Sequence, residues 1–210
     1  RPPRSTLFPY TTLFRSYLAQ LLLQKGYRVA GTSRDAQMAS LASLSALGIR
    51  EQVEVHSVTL TDFRSVLTVL AKVKPDEIYH LAGQSSVGLS FDQPVETFMS
   101  IGVGTLNLLE AVRFLGAPAR LYHASSSDCF GDTGGEPATE LTPFAPRSPY
   151  AVAKAAAHFE VANYREAYKL FACNGILFNH ESPLRPKRFV TRKIVAAAAR
   201  IAAGSGETLS

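Results

Sequence analysis

Apolar positions along the chain come in short runs broken by polar turns, and the spacing of the runs alternates between two periods. Tyr17–Lys25 is a short apolar helix with Gly26 as its stop signal, and Tyr27–Thr32 (YRVAGT) follows as a strand. Residues 36–47 read as a helix closed by Gly48, and 51–58 (EQVEVHSV) alternate as a strand. Thr61–Asp62 precede a helix over 63–73, which they are placed to cap. Pro75–Asp76 turn the chain into a short buried strand at 77–82. A long helix is expected at about 94–115 and a strand at 120–125 (RLYHAS). A loop rich in Gly, Pro and Thr fills 131–149. Beyond it come a helix at 150–168, a strand at 170–178, a polar loop at 179–188 and an alanine-rich helix at about 190–203. Strands that alternate with helices predict an α/β fold, a parallel sheet doubly wound with helices on both faces. Ligands of such sheets bind outside the carboxyl ends of the strands, so residues that follow strands are the ones to inspect.

Composition narrows the class. A chain of 210 residues with 46% hydrophobic content suffices for one α/β domain with a real core. No run of 18 apolar residues exists, and Pro9 interrupts the apolar patches of the N-terminus, so neither a membrane span nor a signal peptide is expected. Cys129 and Cys173, the only cysteines, read as reduced thiols of a cytoplasmic protein, too few and too far apart for a metal site. The net charge of +5 includes Arg1, Arg4 and Arg15, and no basic cluster alternates with aromatics, so a nucleic-acid partner is not expected.

The candidate chemistry lies after the strands. Tyr150 and Lys154 stand four apart on one helix face, where an ammonium can lower a phenol's pKa and hold a cofactor ribose. Alone, the spacing is equally that of an ordinary helix-surface pair. Upstream, ASSSDCFG (124–131) places Ser126 at a strand's carboxyl end, poised for a substrate hydroxyl, though a serine loop there also makes a simple turn. HLAGQSS (80–86) is a third strand-end loop, in which Gly83 lets a ligand approach the backbone.

Ser followed by Tyr-x-x-x-Lys after alternating βα units resembles the extended, nucleotide-sugar branch of the short-chain dehydrogenase/reductases, with its Rossmann-like fold. The stretches GQSSVGLSF (83–91), PRSPYAVAKAAA (146–157), VANYREAY (161–168), CNGILFNHESPLRP (173–186) and RFVTRKI (188–194) are similar to the GDP-mannose 4,6-dehydratases within that branch. The resemblance covers about residues 17–210. It implies GDP-mannose as substrate and NADP as cofactor, oxidation at C4, loss of water across C5/C6 and return of the hydride to C6. It also implies a homo-oligomer at full length.

By the same resemblance Tyr150 is the base at O4, Lys154 tunes it, Ser126 holds the substrate hydroxyl, and Asp128 stands where the family places a glutamate for the C5/C6 proton transfers. Asp128 keeps the carboxylate on an arm one methylene shorter; its plain alternative is a turn or cap carboxylate. Arg34 is expected at a 2′-phosphate, with the adjacent Asp35 a departure from the family pattern. Leu81, Ala82, Gly83, Gln84 and Ser85 are expected against the cofactor, and Ser85 or Ser86 against the substrate. His180 and Arg185 match cofactor positions, Arg185 equally readable as a surface charge. Asn179 and Glu181 are expected on the sugar-nucleotide side or in a hydrogen-bonded turn. Thr59 stands where the family often has an adenine-binding aspartate. His56, His80, His123 and His158 read as structural, without convergent partners.

Residues 1–25 contain no glycine, although the family begins with a strand and a glycine-rich phosphate loop just before Tyr17. TLFPYTTLFRS back-translates into a sequencing-adapter oligonucleotide, so residues 1–16 are expected to be non-native. That leaves 17–178 as the NADP-binding domain and 179–210 as the start of a truncated substrate-binding portion. Without its first strand and loop, the chain is expected to bind NADP poorly, to aggregate and to be inactive by itself. The alternatives are another NDP-sugar epimerase or 4-keto-reductase of the same superfamily, or a non-catalytic dinucleotide-binding protein. A carboxylate at 128 favours the dehydratase over the first.

Overall fold

The computed structural model describes residues 3–8, 14–185, 189–206 and 208. In chain order the elements are β1 (Arg4–Phe8), α1 (Phe14–Gln24), β2 (Arg28–Ser33), α2 (Ala42–Ala46), β3 (Val53–Ser57), α3 (Phe63–Val73), β4 (Glu77–His80), α4 (Val87–Asp92) and α5 (Pro94–Phe98). A π-helical turn at Met99–Val103 leads into α6 (Gly104–Phe114). Then come β5 (Arg120–Ser126), a 3-10 turn at Ser127–Phe130, α7 (Pro149–Tyr168), β6 (Ala172–Leu177) and α8 (Val190–Ala202).

The six strands form one parallel sheet in the order β3-β2-β1-β4-β5-β6. The order reverses between β1 and β4, and a doubly wound sheet opens a crevice there, above the carboxyl ends of its strands. The expected α/β class is therefore the observed one. Three apolar clusters hold it, the smallest made by Ile101, Ala153 and Ala157 with Tyr150 packed against it. One joins α3, β4, α6, β5 and α7 through Val66, Ile78, Leu108, Leu109, Leu121 and Val161. Another joins α1, β2, α2 and β3 through Ala19, Leu22, Val29, Leu44 and Val53. Leu44, Ile78, Leu108 and Leu109 are among the largest fully buried side chains, each contributing about 1.5–3 kcal/mol of transfer free energy.

The main departure from expectation is at the start. Arg4–Phe8, set aside above as non-native, run as the central strand between β2 and β4. Main-chain groups tie it in on both sides: Arg28 N–H donates to Pro3 O at 3.0 Å and Asp76 N–H to Arg4 O at 2.7 Å. The Arg4 guanidinium also donates to Val73 O at 3.0 Å. The ladder itself is made by backbone groups, which this extended segment supplies on both sides. The fit is imperfect in one respect, since the fully buried Ser5 hydroxyl meets no partner among the described residues. With the slot filled, the reason given above for aggregation no longer holds. The glycine-free segment 9–13, where the family's phosphate loop is expected, lies outside the described residues.

Smaller differences have local causes. The helix expected at 36–47 is only α2, because Asp35 Oδ1 accepts from Gln37 N–H (2.9 Å) and Met38 N–H (3.1 Å) and turns the chain there. The helix expected at 94–115 is α5, the π-helical turn and α6 in succession, and it is preceded by α4, capped by Ser86 Oγ. Asp62 caps α3 as expected, accepting from Arg64 N–H at 2.9 Å.

Candidate active site

The cleft at the carboxyl ends of β4, β5 and β6 encloses about 450 Å³. Each strand end contributes a segment to it. Leu81 to Val87 follow β4, Ala124 to Asp128 end β5, and Leu177 to His180 end β6; Tyr150 and Lys154 come from α7, and Arg15, Arg185 and Phe189 complete the wall.

The local sequence explains the placement. β5 stops at Ser126 because its hydroxyl accepts from Asp128 N–H at 3.3 Å and caps the 3-10 turn. The same hydroxyl donates to Asp128 Oδ2 at 3.2 Å, so Ser126 and Asp128 form one unit at the strand end. Ser148 caps α7 by accepting from Ala151 N–H at 3.1 Å, and Pro149 occupies the first helical position, a residue pre-set for it. Tyr150 thus falls in the first turn, at the cleft, and Lys154 one turn below it. The Lys154 ammonium lies 6.0 Å from the Tyr150 ring centroid and donates to Ala124 O at 2.8 Å.

Burial dominates the electrostatics. It pushes the Tyr150 phenol up to about 12, with Ser126 hydrogen bonding pulling the other way and the Asp128 carboxylate adding to the rise. The expected lowering by Lys154 does not decide the balance: desolvation is the largest influence and raises the phenol. Lys154 itself is pushed down to about 8, first by burial and then by the positive Arg15.

Most of the expected residues converge. Ser126, Asp128, Tyr150, Lys154, Leu81, Ala82, Gly83, Gln84, Ser85, Ser86, Asn179, His180 and Arg185 all line the cleft. Gln84 braces its loop by donating to Ser86 O at 2.7 Å, and Ser86 serves as the α4 cap. His180 Nδ1 meets Phe178 O at 2.9 Å. Two expected residues are not on the wall. Glu181 points back into an ion pair with Arg185 at 3.3 Å, because the turn closed by Arg185 N–H on Ser182 O brings the two together. Arg34 lies exposed past the end of β2, away from this cleft. Thr59, exposed after β3, is tied by its N–H to Ser65 Oγ at 3.0 Å.

The histidines have neighbours within the fold. His80 and His123 are cross-strand neighbours with ring centroids 5.2 Å apart, and His158 Nδ1 lies 3.1 Å from Ser125 Oγ. Their neighbours are thus other buried groups of the fold, His80 and His123 being fully buried. Sequence reasoning missed Ser125, Ser127, Phe178 and Phe189 as cleft residues. A signal existed for the first three, which directly adjoin motif residues.

A buried hydroxyl, phenol and ammonium with a neighbouring carboxylate can move protons to and from an alcohol and its neighbouring carbon. Comparison with known proteins fits that chemistry. The family model for GDP-mannose 4,6 dehydratase matches residues 16–210. A GDP-mannose 4,6-dehydratase of Vibrio cholerae is 47% identical over 196 residues, covering 90% of this chain and 52% of that protein. The human GDP-mannose 4,6 dehydratase is 45% identical over 203 residues, covering 93% and 55%. The chain thus spans about half the length of the curated relatives it matches. Among solved structures, the Thermus thermophilus UDP-glucose 4-epimerase complex with NAD superposes with a TM-score of 0.83 at 28% identity, covering 98% of this chain and 65% of that one.

Proposed function

The chain belongs to the GDP-mannose 4,6-dehydratase family, and from that premise we propose that it carries the catalytic face of an enzyme converting GDP-mannose to GDP-4-keto-6-deoxymannose. The observation that supports this most is the convergence of Ser126, Asp128, Tyr150 and Lys154 in one cleft at the carboxyl ends of β4, β5 and β6. Residues 17–178 then form the cofactor-binding part, and 179–210 begin the substrate-binding part.

The cofactor read here is NADP. The cleft suits a dinucleotide. Gly83 keeps the β4-end loop low at φ +113°, where a Cβ would stand 2.6 Å from Ile101 Cγ1, so the loop backbone lies open to a ligand. Lys154 spends one of its three ammonium donors on Ala124 O and retains two for ribose hydroxyls. Arg34, exposed at the end of β2, suits a 2′-phosphate, and Asp35 does not oppose this because its carboxylate is engaged by its own turn. When bound, NADP supplies the acceptor for the C4 hydride and returns it at C6.

The chain's own groups handle the protons. Tyr150 exchanges the O4 proton as C4 becomes a ketone, and Ser126 hydrogen-bonds the same oxygen. The ketone acidifies C5–H. Asp128 removes that proton and delivers one to the departing C6 hydroxyl, which leaves as water; C5 takes up a proton as the hydride returns to C6, balancing the one Tyr150 took from O4. The Ser126–Asp128 hydrogen bond keeps the shorter carboxylate beside the hydroxyl it serves. Self-association fits the apolar side chains exposed on α5 and α7, Val95, Phe98, Val152 and Phe159. A cytoplasmic location fits two free thiols.

The test is a chimera in which residues 16–210 replace the matching stretch of the Vibrio cholerae relative. It should dehydrate GDP-mannose, and Tyr150→Phe should cost at least about 100-fold. Asp128→Asn should stop elimination, whereas Asp128→Glu should be at least as active as the parent. A chimera that epimerises or reduces sugar nucleotides, or that ignores Asp128→Asn, would replace this reading with the epimerase or reductase one.

A further inference from the structure

The cleft residues that meet substrate in the reading above are flanked by residues that do not. Ser125 precedes Ser126, and Cys129 follows Asp128. Both flanking side chains are buried and turn into the fold. The Ser125 hydroxyl meets His158 Nδ1 at 3.1 Å. Cys129 Sγ lies 3.8 Å from Ala151 O, the residue after Tyr150. The strand end and its 3-10 turn are thus tied to α7 at two points seven residues apart, Ala151 and His158, about 10 Å along the helix.

His158 is itself fixed from three directions. Its carbonyl accepts from Asn174 Nδ2 on β6 at 2.9 Å. Its ring packs edge-on against Phe144 of the 131–149 loop, centroids 4.8 Å apart, and lies 5.7 Å from the Phe159 ring. Phe144 also meets Phe130, the last residue of the 3-10 turn, at 5.2 Å. The half-buried imidazole therefore joins β5 and the 131–149 loop to the helix that carries Tyr150 and Lys154, while the residue's carbonyl ties that helix to β6.

We propose that His158 is a positioning residue which acts through Ser125 to hold Ser126 and Asp128 at a fixed spacing from Tyr150. This rests on the dehydratase reading for its purpose, but not for its geometry. The effect matters because a displacement of about 1 Å at reacting groups costs about 100-fold in rate.

The test reads Tyr150 directly and needs no substrate. The chain is labelled with tyrosine carrying ¹³C at Cζ, whose shift reports the hydrogen bonding of the phenol oxygen, and Tyr150 is identified among the eight tyrosines by its loss in Tyr150→Phe. His158→Phe keeps an aromatic ring and removes the bond to Ser125. It should displace the Tyr150 resonance. Ser125→Ala should displace it similarly, and the double variant should move it no further, because one coupled path is broken in each case. His158→Asn, which keeps a polar atom at the δ position, should return it towards the parent value. A Tyr150 resonance unmoved by both single variants, or displacements that add in the double, would overturn the proposal. Should His158→Phe fail to fold by far-ultraviolet circular dichroism, Ser125→Ala decides alone, since it leaves the ring packing in place. A chain that never turns over GDP-mannose still gives this readout, so the two readings fail separately.

Discussion

His80 on β4 and His123 on β5 are register partners in the sheet interior, with ring centroids 5.2 Å apart and tilted by 38°. His80 Nε2 meets Thr105 Oγ1 at 2.9 Å, whereas His80 Nδ1 and both His123 nitrogens find no partner among the described residues. Burial, and then the Lys154 charge, push both imidazoles down, His80 to about 3.

This pair makes the fold acid-sensitive. Below pH 6.5 the unfolded chain takes up protons that the folded pair refuses, so stability present above 6.5 is lost as pH falls from there towards 3. The slope is at most about 1.4 kcal/mol per pH unit for each histidine. Urea unfolding at pH 7.5, 6 and 5 should show the decline. His123→Phe removes two orphaned nitrogens and one titrating site, so it should flatten the decline without lowering stability at pH 7.5. An unchanged slope would mean that other groups carry the acid sensitivity.

Lys154 is a stability cost retained for the site. Its folded pKa of about 8 lies below the unfolded value near 10.4, so stability present above that value is lost as pH falls through 8. Lys154→Met should therefore gain about 3 kcal/mol at pH 7, and the gain should shrink towards pH 10. The same variant should lose cofactor binding and turnover in the chimera. Equal gains at both pH values would show that packing, not charge, is responsible.

Gly83 is irreplaceable for two independent reasons, its positive φ and the 2.6 Å approach of Ile101 Cγ1 to any added Cβ. Gly83→Ala should destabilise by about 1–3 kcal/mol and displace the β4-end loop from the cleft. Adding Ile101→Ala relieves only the clash, so the double variant should recover less than the whole cost of the alanine. Thermal unfolding and nucleotide binding read the two effects.

Much of this was legible in residue order. The parallel class, the strand-end loops and the Tyr150–Lys154 face followed from periodicity, because side-chain spacing maps directly onto faces. The truncation of the 36–47 helix was also written in the chain, as Asp35 two and three residues before free backbone donors. The histidine pair had an overlooked sign: IYH ends β4 and LYH recurs in β5, and parallel pairing in register must set like beside like. Other features were not readable. Nothing in the order of residues says that burial is the largest influence on the Tyr150 phenol, since that depends on how completely α7 covers the site. Nor does it say that Glu181 turns to Arg185 rather than into the cleft.

The two larger apolar clusters lie on either side of the central strand. α1, β2, α2 and β3 share one, while α3, β4, α6, β5 and α7 share the other. The proton-handling groups all belong to the second half, and Arg34 belongs to the first. β1 is tied to both neighbours by its main chain, and at Arg4 also by the side chain's bond to Val73 O. The central strand is therefore the seam of the molecule. Arg15 of α1 reaches across that seam to the cleft, so a change in how the first half seats itself is felt at once by the Lys154 ammonium.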